Sequence, residues 1–269
     1  MGKKKNLQEA ISYEELMYIE EKKLGGAKFE YLDAFKNQLK MQTSIKVDIK
    51  CKNDKQKQFL KQLKDNTKEI VIGCGSAGCG KSFVSLSYAL KALKDSDYEK
   101  IVMIIPTAPA GGKDMELGLL KGTMEDKTQP FLEADKDTVK KILKLSGTQD
   151  YETIANSLMN SGKIQYEFVN FLLGKTIDNA VILINEAEQY TKENMRLILT
   201  RMGENTKVII TGDSRQVNRR DIVNKKSESG LDFVANNLIS LDEVAVTEFS
   251  EEDIVRNPLI TKILKIFDK

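Results

Sequence analysis

Eight consecutive residues, Gly75-Ser76-Ala77-Gly78-Cys79-Gly80-Lys81-Ser82, fit the pattern G-x-x-x-x-G-K-[ST]. Their order suits one task, the cradling of linked phosphates. Small residues let successive backbone N–H groups turn inward around an anion without Cβ clashes, and a helix opening at Lys81 adds the positive end of its dipole. Lys81 supplies a point charge to the β- and γ-phosphates, and the Ser82 hydroxyl can ligate Mg²⁺. Residues 75–82 and the following Phe83 are therefore the candidate nucleotide site, with ATP and Mg²⁺ as its expected cofactors. Cys79 is expected to stay a neutral thiol, because a thiolate inside the loop would repel phosphate.

A second constellation follows the apolar run Ala180-Val181-Ile182-Leu183-Ile184, which leads into Asn185-Glu186-Ala187-Glu188. This is the place of a Walker B motif, where one carboxylate holds Mg²⁺ through water and the next polarises the attacking water. Glu186 can act as that base. Asn185 stands where an Asp is usual, so the metal site has one negative charge fewer. An amide still hydrogen-bonds a Mg²⁺-bound water, so weakened rather than abolished metal binding is expected.

Composition narrows the chemistry from the other side. The 269 residues include no His, which removes imidazole acid–base catalysis, His-assisted nucleophiles and His–metal sites. Three Cys without zinc-ligand spacing fit a reducing compartment. The basic start Met1-Gly2-Lys3-Lys4-Lys5 is followed by no apolar core, and nowhere do about 18 apolar residues run together. The expectation is a cytoplasmic protein with no membrane partner. Residues 1–70 hold 16 Lys and 11 acids, leaving 26 basic against 29 acidic residues for the remainder, so overall charge argues neither for nor against nucleic acid.

These residues need elements to position them. Four short β-branched runs recur, at residues 69–73, 101–105, 180–184 and 207–211. None alternates with polar residues, as expected of parallel strands covered on both faces. Helical patterns at 83–94, 191–202 and 231–237 separate them, and a stripe of Phe59, Leu60 and Leu63 predicts a further helix over 55–64. Strand–helix alternation predicts an α/β fold, a mostly parallel sheet with helices on both faces. Residues 112–165, rich in Lys, Asp and Glu, read as a mainly helical insertion. Residues 1–49 read as a helical N-terminal extension and residues 50–269 as the P-loop domain.

Taken together, the sequence resembles the PhoH-like P-loop ATPases, relatives of superfamily 1 helicases, over roughly residues 50–265. The resemblance implies a RecA-like P-loop NTPase core. Asn53-Asp54-Lys55-Gln56-Lys57 is similar to the family's upstream glutamine motif, which implies that Gln56 reads the adenine edge. Pro106, Ala110-Gly111 and residues 117–122 resemble the segment after the second strand. Phe171-Leu172-Leu173-Gly174-Lys175-Thr176 resembles an arginine-glycine-arginine-threonine stretch, with Leu173 and Lys175 replacing the two arginines. Leu199-Thr200-Arg201-Met202-Gly203 and Thr211-Gly212-Asp213-Ser214-Arg215-Gln216 carry the most specific likeness. It implies that Asp213 and Gln216 face the γ-phosphate. Residues 253–259 resemble the C-terminal signature, with Asn257 where the family has His, and imply a γ-phosphate contact or arginine finger at Arg256. An ordinary salt bridge for Arg256, and helix capping for Thr200 and Arg201, stay open as readings of the residues themselves.

The activity implied by the resemblance is a Mg²⁺-dependent ATPase acting on single-stranded nucleic acid, RNA ahead of DNA. A single RecA-like core lacks the two moving surfaces a translocase needs, so a homo-oligomer such as a hexameric ring is expected, with Arg256 or Arg201 reaching a neighbour's ATP. The strip Arg215, Arg219, Arg220, Lys225 and Lys226 is the candidate nucleic-acid contact, or else a solvated loop. Two alternatives remain: a non-hydrolysing nucleotide switch with a protein partner, made more plausible by Asn185, and a small-molecule P-loop kinase.

Overall fold

The computed structural model describes residues 45–106, 124–217, 220–223, 228–255 and 266, with the side chains of 124–131, 220 and 221 excepted. Its elements run in the order α1 (Asp54–Lys64), β1 (Ile70–Gly75), α2 (Lys81–Lys94), β2 (Lys100–Ile105), α3 (Met124–Leu145), α4 (Tyr151–Asn160), β3 (Ile164–Phe168), β4 (Ala180–Ile184), α5 (Lys192–Leu199), β5 (Thr206–Gly212), α6 (Arg220–Val223), α7 (Gly230–Asn237) and β6 (Val244–Phe249). Short 3₁₀ turns sit between several of them.

Six strands form one sheet in the order β3-β2-β4-β5-β1-β6. Every pairing is parallel. The predicted α/β class is therefore the observed one, a parallel sheet sandwiched between helices as in P-loop NTPases. Strand residues alternate between the two faces. Ile72, Val102, Ile104, Ile182, Ile184, Val208 and Ile210 pack on one face with Met195 and Ile198 of α5 and Leu231 and Val234 of α7. α1 and α2 cover the opposite face, where Phe59, Leu63 and Leu90 are fully buried.

Local sequence accounts for the helix starts. The Asn53 side chain accepts from the Gln56 N–H at 2.8 Å and opens α1. A reciprocal capping box between Thr191 and Asn194 opens α5, and the Ser229 hydroxyl caps α7.

Two strands escaped the sequence reading, and both lie at sheet edges. β3 has three partly exposed residues between its buried ends, and its opening Ile164 falls inside the segment expected to be a helical insertion. β6 carries Thr247 and an exposed Glu248 among its apolar residues. An edge strand needs an apolar face only where something covers it, so the unbroken apolar run that marks an inner strand is missing.

One buried charge holds the non-site end of the fold. Lys207 is 2% exposed, and its ammonium donates to the carbonyls of Leu63 at 2.7 Å and Asp65 at 2.9 Å, closing the C-terminus of α1. Burial pushes its pKa down to about 8. An unfolded chain keeps Lys near about 10.4, so between those two values the unfolded state binds more protons. Stability is therefore expected to rise with pH through that window. Urea midpoints measured from pH 7.5 to 10 (about the same window) should climb more steeply in the wild type than in Lys207→Met.

Candidate functional site

Parallel strands end on one edge of the sheet, and there the predicted residues meet. β1 lies between β5 and β6, with β4 next to β5. The loop after β1, the Asn185-Glu186 turn after β4, the Asp213 turn after β5 and the Ser250 turn after β6 thus emerge side by side.

The glycine-rich loop has the backbone its sequence requires. Gly75 adopts φ +114°, and a Cβ there would lie 1.9 Å from the Phe249 carbonyl oxygen. The Ser76 N–H donates to that carbonyl at 3.3 Å. Gly80 caps α2 at φ +80°, where a Cβ would approach the Gln56 side-chain amide to 2.7 Å. Among the described residues, no acceptor meets the backbone N–H groups of Gly78, Cys79, Gly80, Lys81, Ser82 or Phe83. A consecutive row of free donors at a helix N-terminus is an anion site.

Lys81 lies buried behind that row, and its ammonium donates to the carbonyls of Gly75 at 2.6 Å and Ser76 at 2.8 Å. Burial lowers its pKa, and the nearby carboxylates of Asp213 and Glu188 oppose the shift. Cys79 is fully buried with its Sγ 3.3 Å from the Ser250 carbonyl. Burial pushes that thiol up to about 11, so it is neutral at physiological pH, as the sequence led us to expect.

Three neutral oxygens from three elements form a row. Ser82 Oγ lies 3.3 Å from Thr211 Oγ1, which donates to Asn185 Oδ1 at 2.8 Å. Among the described residues, no cluster of three or more His, Cys, Asp or Glu side chains could hold a metal ion by itself. The donor set fits Mg²⁺ all the same, because that ion keeps several waters and takes much of its coordination from substrate phosphates. Thr211 is the member that sequence reading passed over, although it stands in the quoted Thr211-Gly212-Asp213 block.

Glu186 follows in the left-handed conformation at φ 50°, uncommon outside glycine and a frequent mark of functional turns. Asp135 of α3 lies near enough to sense the Glu186 charge. Burial, with a smaller contribution from the Glu186 charge, pushes Asp135 up to about 6, and the Tyr166 hydroxyl hydrogen-bonds to it. Nothing in the polar pattern of residues 124–145 pointed to Asp135. Glu188, given no role in the sequence, is 4% exposed and accepts the Asp213 N–H at 2.9 Å.

Asp213 reaches the loop directly. One carboxylate oxygen accepts the Ala77 N–H at 3.0 Å and the Gln216 side-chain amide at 3.2 Å, while the other accepts the Arg215 N–H at 3.2 Å. The Gln216 carbonyl in turn accepts from Gln189 at 2.9 Å. Gln56 is 3% exposed, accepts the Lys52 N–H at 2.7 Å and donates to the Cys79 carbonyl at 2.8 Å. The nitrogen end of its amide holds the loop and the oxygen end holds its own upstream segment, which leaves one N–H donor and one lone pair for an adenine edge.

Other expectations fall elsewhere. Arg215, assigned to a nucleic-acid strip, is turned onto the glycine-rich loop, where its guanidinium bonds Ser76 Oγ. Arg219, Lys225, Lys226 and Arg256 lie outside the described residues, as do Ala110-Gly111, residues 117–122 and residues 256–259; the Arg220 side chain does too. Arg201 precedes β5 at the opposite edge of the sheet, with its guanidinium 3.4 Å from the Lys175 carbonyl and 3.2 Å from Thr200 Oγ1. Among the described residues, no helix is long and apolar enough to cross a membrane.

Comparison with known proteins gives one family, that of PhoH-like proteins, which matches residues 48–268. A PhoH-like protein of Bacillus subtilis (strain 168) is 32% identical over 221 residues, which cover 82% of this chain and 64% of the relative. One of Mycobacterium leprae is 32% identical over 219 residues, covering 81% of this chain and 58% of the relative. Protein PhoH of Escherichia coli (strain K12) is 29% identical over 219 residues, again 81% and 58%. The chain thus matches less than two thirds of the length of these curated relatives.

Proposed function

The chain belongs to the PhoH-like protein family, and from that premise we propose that it is a cytoplasmic ATPase that couples Mg²⁺-dependent ATP hydrolysis to work on single-stranded nucleic acid. The observation that carries the reading is the row of free N–H groups from Gly78 to Phe83, backed by the buried Lys81 ammonium. Linked phosphates are the ligand that such a row, one lysine and one hydroxyl recognise together.

Residues of this chain divide the work. Backbone donors of the loop bind the phosphates, and Lys81 turns from the Gly75 and Ser76 carbonyls toward them. Ser82 would hold Mg²⁺ directly and Asn185 through water, with Thr211 orienting both. The ion, when bound, neutralises phosphate charge. Glu186 orients the attacking water and accepts its proton, while Asp213 and Gln216 face the terminal phosphate. Arg256 completes the charge stabilisation, within the chain or from a neighbour. Residues 50–269 form the ATPase domain, residues 1–49 an extension, and assembly into a homo-oligomer supplies the second moving surface.

Phosphate release from Mg-ATP, measured alone and with poly(U) or single-stranded DNA, tests the reading. Turnover stimulated by nucleic acid, more by RNA than by DNA, is the expected result. ATP binding without turnover would favour the second reading, a nucleotide switch with a protein partner, to which the neutral Asn185 lends support.

A further inference from the structure

We propose that Arg215 contacts and senses the terminal phosphate of a nucleoside triphosphate and passes its arrival to the segment Phe249–Val255. The inference rests on the nucleotide-site reading above and adds a residue between Asp213 and Gln216 to which the resemblance assigns no phosphate contact.

The Arg215 guanidinium joins three elements. Its Nε lies 3.4 Å from Asp213 Oδ1, its Nη1 donates to Glu251 Oε1 at 3.0 Å, and its Nη2 bonds Ser76 Oγ. Ser76 and Ala77 open the glycine-rich loop, and Asp213 Oδ2 already accepts the Ala77 N–H at 3.0 Å. One carboxylate and one guanidinium therefore share the front of the phosphate site. They respond to an incoming anion with opposite sign. A terminal phosphate bound beside the free donors repels the Asp213 carboxylate on Ala77, because two anions at that spacing disfavour each other. The same phosphate attracts the guanidinium, whose planar donors match phosphate oxygens.

Burial favours this exchange. Asp213 is 5% exposed and held from several sides, whereas the Arg215 side chain is 52% exposed on a long flexible stem. An exposed ion pair such as Arg215–Glu251 opens readily. Glu251 begins a 3₁₀ turn capped by Ser250 and Asp253, in a segment that touches the site at further points. Val255 donates its N–H to the Gly78 carbonyl at 3.1 Å, and Asn53 donates to the Asp253 carbonyl at 2.8 Å. Re-aiming Arg215 from Glu251 to phosphate thus removes one tie of that segment to the loop. A nucleoside diphosphate lacks the group that would trigger the exchange.

The test compares Mg-ATP and Mg-ADP dissociation constants for the wild type, Arg215→Ala and Arg215→Lys, with amide hydrogen exchange of residues 249–255 read in parallel. Arg215→Ala is expected to weaken ATP binding about tenfold or more while ADP binding stays within about twofold. Arg215→Lys should recover part of the ATP affinity, because it keeps the charge and loses the fork. ATP should change exchange of residues 249–255 in the wild type and not in Arg215→Ala. Equal weakening of ATP and ADP, tighter ATP binding, or no change in either would overturn the proposal. A wild type that binds neither nucleotide would instead overturn the underlying reading of the site.

Discussion

Replacing Glu186 by Gln is expected to lower ATP turnover by about 10²–10⁴-fold, the usual span for a general base, while ATP affinity changes by only about threefold. The substitution keeps size and hydrogen-bonding capacity and removes the proton acceptor. It also preserves the turn, because Gln can occupy the backbone conformation that Glu186 adopts at φ 50° at much the same strain. Single-turnover phosphate release, set beside fluorescent-nucleotide binding, separates the two effects. Normal turnover in Glu186→Gln would remove the assignment of this turn as Walker B and leave Asp135 as the next carboxylate to examine.

Lys81→Ala strikes the other half of the site. Loss of both nucleotide binding and turnover is expected, with turnover falling about 10²–10³-fold or more, as when one fixed electrostatic donor is removed. The fold should survive, because the ammonium bonds only the carbonyls of Gly75 and Ser76 and forms no ion pair among the described residues. A circular-dichroism melt therefore belongs beside the binding assay. The pH dependence has a definite sign. Burial holds the Lys81 pKa below its ordinary value, so ATP affinity should fall on the alkaline side earlier than an exposed lysine would allow. Lys81→Arg keeps charge but not shape, and should bind ATP without normal turnover.

Inner strands and the phosphate loop were legible because their signals are local. A β-branched run, glycines at fixed spacing and a lysine at a helix start state their geometry within about a dozen residues. The edge strands β3 and β6 were not, since one covered face leaves no unbroken apolar run. The roles of Thr211, Glu188 and Asp135 were hidden for a different reason. Each is an ordinary polar residue whose meaning depends on what a distant element brings against it.

By itself, the sequence determined the reactive inventory: no imidazole, a phosphate loop, a carboxylate after a strand, and the family likeness now supported by a match over residues 48–268. Only the tertiary structure decided how that inventory is wired. Insertion of β1 between β5 and β6 sets Asp213 on Ala77, 136 positions away, and Arg215 on Ser76, 139 positions away. It also turns Arg215 from an apparent surface strip into a neighbour of the phosphate site. Such contacts leave no periodic trace along the chain, because they follow from strand order, and strand order is set by packing across the whole sheet.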